Sequence, residues 1–92
     1  MIKRQKSGDC TIKVTFAISL EEAPLATSVV GDFNDWDPLA TPLKKRTNGT
    51  RSASVVLSAG EVVRFKYLTE GGRWFTDADA DVGEDGDNHL VA

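Results

Sequence analysis

Apolar residues alternate with polar ones over Thr11 to Ser19, where Ile12, Val14, Phe16 and Ile18 share one face while Thr11, Lys13, Thr15 and Ser19 fall on the other. Period two predicts a half-buried β-strand. Pro24 discourages a helix over Leu20 to Thr27, and Ser28-Val29-Val30 then runs into Gly31 and a polar turn at Asn34, which predicts a strand and a sharp bend. Asn48-Gly49 is a strong hairpin dipeptide, suited to a type I′ turn with positive φ at both central positions, so its flanks Leu43 to Thr47 and Thr50 to Leu57 are expected to pair antiparallel. After Ala59-Gly60, the segment Glu61 to Thr69 puts Val63, Phe65 and Tyr67 on one face and Arg64, Lys66 and Leu68 on the other, so the aromatic face is assigned to the core. Gly71-Gly72 predicts a reversal, Arg73 to Thr76 a short return strand, Asp77 to Asp87 an acidic loop, and His89-Leu90-Val91 a closing strand.

No segment has helical period. Six to seven short strands with closely spaced turns, and no connection long enough for a crossover helix, predict an all-β fold: an antiparallel β-sandwich of immunoglobulin-like type. The 92 residues suffice for one domain, assigned to 11–92 behind an N-terminal lead of residues 1–10. Met1 followed directly by a short basic lead suggests a complete small protein, with one excised domain of a larger enzyme as the alternative.

Charge narrows the function classes. Eleven basic and fourteen acidic residues give a net charge of −3, which argues against a nucleic-acid-coating or anionic-membrane role. Half of the acids fall between Glu70 and Asp87, with Arg73 the one base among them, so the charge is expected to sit in a solvated loop. Asp77, Asp79 and Asp81 alternate as in calcium loops, but Val82 and Asn88 stand where such a loop needs Gly and a bidentate Glu, so no metal or other cofactor is expected. The lone Cys10 can form no internal disulfide and is read as an inert thiol in a reducing setting. With no apolar signal region and no run of ~20 apolar residues, the expected location is cytoplasmic.

The candidate chemistry lies in two tryptophans. Trp36 follows a strand at the end of Gly31-Asp32-Phe33-Asn34-Asp35-Trp36, and Trp74 follows the Gly71-Gly72 reversal, both awkward places to bury an indole. Sugar rings present C–H faces that stack on aromatic planes, while their hydroxyls need donors and acceptors beside the ring. Strand alternation sends Lys66 outward as one such donor.

The Gly31 to Trp36 run, Phe65-Lys66-Tyr67-Leu68, Gly71-Gly72-Arg73-Trp74 and Asn88-His89-Leu90-Val91, in this order, resemble a family 48 carbohydrate-binding module. This is the early-set domain at the N-terminus of isoamylases and glycogen branching enzymes of glycoside hydrolase family 13, and of the glycogen-binding β subunit of AMP-activated protein kinase. The resemblance covers roughly Thr11 to Val91. It implies a shallow site for an α-glucan such as glycogen, starch or a maltooligosaccharide, with glucose stacked on Trp36 and Trp74 and hydroxyls bonded by Lys66 and Asn88. Two departures are visible. Gly71-Gly72 is one residue longer than the usual hairpin, and Glu84 stands where the kinase-type pattern has an apolar residue.

Each residue also has an ordinary structural reading: Trp36 as a rim indole, Trp74 as packing across a hairpin, Lys66 as a solvated strand lysine, Asn88 as a turn closer, and His89 with no role. Glycoside hydrolysis needs two carboxyl groups across a cleft, which that enzyme family resembles in placing on a separate (β/α)₈ barrel of ~250 residues, so no enzyme activity is expected here. The expected function is non-catalytic α-glucan binding, by stacking of a glucose face on Trp36 with Trp74 assisting and hydrogen bonds from Lys66 and Asn88. The alternative is a protein-interaction or accessory domain that docks a glucan-metabolising enzyme and has lost sugar binding.

Overall fold

A computed structural model describes residues 1–92. The strands are β1 (Ile2–Lys6), β2 (Thr11–Ser19), β3 (Thr27–Gly31), β4 (Lys44–Lys45), β5 (Thr50–Ser58), β6 (Val62–Thr69), β7 (Arg73–Phe75), β8 (Asp81–Val82) and β9 (Asn88–Val91). One sheet has the order β1-β2-β5-β4; the other runs β3-β6-β9-β8, with β7 also paired to β6, and every pairing is antiparallel. The chain is thus an all-β sandwich, consistent with the immunoglobulin-like type.

Period-two patterning decides which faces meet. Val14, Phe16 and Ile18 of β2 and Leu57 of β5 point inward from the first sheet, against Val29 of β3, Val63, Phe65 and Tyr67 of β6 and Leu90 of β9. Five aromatic rings form a continuous chain through this layer: Phe33 on Phe16 at 5.6 Å, Phe16 on Phe65 at 4.9 Å, Phe65 on Tyr67 at 5.8 Å and Tyr67 on Phe75 at 5.3 Å between centroids. Offset or tilted contacts at such distances exceed their area burial in value. Neither tryptophan joins the chain.

The structure departs from the sequence reading at several points. Residues 1–10 are not only a lead: Ile2–Lys6 pair in register with Ile12 to Phe16 and form an edge strand. Its Lys3, Arg4 and Lys6 gave no alternation to read, because only Ile2 is partly buried, and such charges suit an edge. The β4–β5 turn is not type I′. Arg46 N–H donates to the Thr50 carbonyl at 2.7 Å, and in the loop only Gly49 has positive φ, the pattern of a three-residue hairpin with Gly in the left-handed position. Asn48 serves through its side chain instead, its Oδ1 accepting from Thr50 N–H at 3.2 Å and from Thr50 Oγ1–H at 2.6 Å. The acidic segment is not uniformly solvated, since Asp77 is buried and Asp81–Val82 form β8. No helix of the chain is long and apolar enough to cross a membrane.

Candidate functional site

The register of β6 sets the outer face of the second sheet. With Val63, Phe65 and Tyr67 inward, Arg64, Lys66 and Leu68 face out. Their partners Val30 and Ser28 on β3, Trp74 on β7 and His89 on β9 share that face.

Trp36 reaches the rim of this face through a turn that each residue of its motif helps to fix. Gly31 is required by space, since a Cβ there would collide with the Arg64 carbonyl oxygen and approach Phe33 Cε1 and Phe65 Cβ at 2.9 Å. A single 3₁₀ turn follows at Asp32–Asn34, which swings Phe33 inward onto Phe16. Asn34 closes the turn: its Oδ1 accepts from Gly31 N–H at 3.0 Å, and its Nδ2 donates to the Val29 carbonyl at 3.1 Å and to Thr41 Oγ1 at 3.0 Å. Asp35 and Trp36 then both adopt φ of 57°, in the left-handed region that side-chain-bearing residues avoid. Two bonds hold Trp36 there, from its backbone N–H to the Gly31 carbonyl at 3.0 Å and from its indole Nε1–H to Asp32 Oδ1 at 2.9 Å. The indole is half-buried, with its polar edge occupied.

Trp74 stands opposite Leu68 and is 46 % exposed. Gly71 and Gly72, with φ of 96° and 86°, supply the left-handed conformations of the β6–β7 turn, whose flanks pair Tyr67 with Phe75 and Thr69 with Arg73. Lys66 is outward and partly buried, its Nζ 3.6 Å from Asp87 Oδ1. An ammonium has three donors, so this pair leaves others for a ligand.

Asn88 is a correction to the expected sugar-binding set. It is fully buried on the inner side of β9, where its Oδ1 accepts from Asp77 N–H at 2.6 Å and its Nδ2 donates to the carbonyls of Asp77, Ala80 and Asp81 at 3.1–3.3 Å. A side chain with no exposed surface and both ends bonded to backbone cannot reach a sugar hydroxyl. It ties down the loop between β7 and β9.

Residues that the sequence reading left without a role complete the outer face. Asp32 accepts from Arg64 N–H at 2.8 Å and pairs with Arg64 Nη2 at 3.3 Å; Arg64 Nη1 lies 3.8 Å from Asp85, and His89 Nε2 lies 3.2 Å from Asp85. Burial raises the Asp32 carboxyl pKa, but the Arg64 N–H, the Trp36 indole N–H and the Arg64 guanidinium outweigh it and hold the group below the usual carboxylate range. The Asp87 N–H, His89 and Arg64 do the same for Asp85. A sequence signal existed: strand alternation placed Arg64 beside Lys66, and a neighbouring acidic loop was bound to meet them. What could not be read was which acid meets which base.

One acid lies on the inner side of the sheet. Asp77 turns inward, and its Oδ2 accepts from the Tyr67 hydroxyl at 2.6 Å. No group of three or more His, Cys, Asp or Glu side chains is arranged to hold a metal ion. Cys10 is exposed in the β1–β2 turn and unpaired.

No protein-family model matches the chain. Over 52 residues, 54 % of its length, it is 36 % identical to the 1,4-alpha-glucan branching enzyme GlgB of Aquifex aeolicus (strain VF5), and it matches only 8 % of that enzyme's length. The chain is therefore similar, over about half its length, to a small part of a glucan-branching enzyme.

Proposed function

We propose that this domain is a non-catalytic α-glucan-binding module in which a glucose ring stacks on Trp74, with Trp36 flanking it and Lys66 donating to its hydroxyls. The observation that carries the reading is Trp74 itself: a large indole left 46 % exposed on a sheet face beside an outward lysine. Its apolar plane suits the C–H face of a pyranose. Asp85 and Asp87 fit the same reading. Lysine and arginine only donate, sugar hydroxyls both donate and accept, and the carboxylates of Asp85 and Asp87, paired with Arg64 and Lys66, supply the acceptors. The partial likeness to a branching enzyme supports a role beside glucan-processing chemistry.

Hydrolysis itself is not proposed. A glycosidase needs one carboxyl with a raised pKa, whereas Asp32 and Asp85 on this face are both shifted down. A shallow neutral-ligand site implies affinities of about 4–8 kcal/mol, that is millimolar to micromolar. The test is Trp fluorescence titrated with maltoheptaose, with native-gel retardation by glycogen. A saturable change that Trp74→Ala abolishes is expected. No change at millimolar sugar would leave the protein-docking alternative, which the exposed Leu25 and Leu39 favour.

A further inference from the structure

A groove of about 350 Å³ opens at the end of the outer face where β6 turns into β7. Its walls are Pro38, Leu39 and Pro42 from the loop after Trp36, with Leu68 and Ser28 from the sheet and Glu70 at the turn. Leu68 belongs both to this groove and to the Trp74 pair, so the two surfaces are continuous. Leu39 is 86 % exposed, the most exposed large apolar side chain of the chain.

The groove also holds polar groups without partners. The Ser28 hydroxyl, the Glu70 carboxylate and the Gly71 N–H make no hydrogen bond within the chain, although the neighbouring Gly72 N–H closes the turn on the Thr69 carbonyl at 3.0 Å. Apolar walls with a few convergent donors and acceptors, and a volume at the small end of ligand sites, match an uncharged polyhydroxylated ring. A basic group is missing from the lining, which disfavours an anionic occupant.

We infer that this groove is a second sugar subsite, so that the domain grips a run of consecutive glucose units rather than one unit on Trp74. The inference rests on the glucan-binding reading above. One ring stacks on Trp74, and the chain continues past Leu68 into the groove, where Leu39 covers an apolar face while Glu70 and the Gly71 N–H bond hydroxyls.

The test compares maltotriose with maltoheptaose by isothermal titration calorimetry, and follows the Gly71 amide by nitrogen–proton correlation spectra. Maltoheptaose is expected to bind about tenfold or more tightly than maltotriose and to shift the Gly71 amide in proportion to saturation. Leu39→Ser and Glu70→Gln change exposed side chains, so both variants are expected to fold, and each should lower the maltoheptaose-to-maltotriose affinity ratio by about threefold or more. An unmoved Gly71 amide and unchanged ratios, in a protein whose binding still depends on Trp74, overturn the second subsite and leave the first. Absence of binding by either sugar overturns both, and a groove that instead takes up an apolar peptide with no sugar response assigns it to a protein.

Discussion

Replacing Asn88 by alanine separates a ligand-binding asparagine from a fold-holding one. The wild-type amide makes four bonds to backbone groups of Asp77, Ala80 and Asp81. In Asn88→Ala, the part-buried Ala80 and Asp81 carbonyls, just before and at the start of the exposed edge strand β8, can turn to water. The Asp77 N–H and carbonyl, bonded in buried surroundings, lose their partners outright. Each such orphan costs roughly 1–3 kcal/mol, so the substitution should cost about 2–6 kcal/mol. A 92-residue domain has only about 5–14 kcal/mol in total, so this is a large share. At ~4–8 °C per kcal/mol for a domain of this size, the thermal midpoint should fall by about 10 °C or more. Circular dichroism melts and urea titrations read this directly. Asn88→Asp should also destabilise, because it keeps the acceptor but turns a carboxylate toward three carbonyls. A melting shift under about 4 °C, accompanied by a loss of maltoheptaose affinity, would refute the structural assignment and return Asn88 to the sugar site.

Gly31→Ala should destabilise by about 1–3 kcal/mol or more, read by urea denaturation, because the added methyl meets the Arg64 carbonyl and carbons of Phe33 and Phe65 in a tightly packed corner. Tyr67 is the chain's one tyrosine, and burial, the hydrogen bond to Asp77 and that carboxylate's charge all push its hydroxyl pKa far up. The unfolded chain releases this proton near pH ~10 and the folded one does not, so stability falls as pH rises above ~10. Tyrosinate absorbance should stay silent until it appears together with unfolding, and a separate ionisation step in the folded protein would contradict the buried pair. For Asp32 the sign is reversed. Its lowered folded pKa adds stability that is complete above ~4 and lost as pH drops through the folded value, so the gap between wild type and Asp32→Asn should be constant from about pH 5 upward and shrink below it. A gap unchanged down to pH ~2.5 would rule that linkage out.

Much of this molecule was legible because strand patterning is local. The period-two runs at Thr11 to Ser19 and Glu61 to Thr69 settled which side chains form the core, and therefore that Arg64, Lys66 and the partner positions of β6 face outward. The punctuation at Asn48-Gly49, Ala59-Gly60 and Gly71-Gly72 placed the reversals, and the two strand-end tryptophans are legible in the sequence as the candidate stacking residues. The tertiary structure decided what depends on partners distant in sequence. Ile2–Lys6 become a strand only because β2 offers an edge, and Val30, outward by register, is fully buried. The family resemblance implies a binding role for Asn88, yet its position opposite Phe65 turns it inward to the Asp77 loop. The acids of that loop divide by the same logic. Asp77 meets a buried hydroxyl, while Asp85 and Asp87 each meet a cation 21 residues away on β6, pairings that only the register of β6 with β9 brings within reach. Composition along the chain fixes how many charges a segment carries; the direction in which each one points is set by the strand it is folded against.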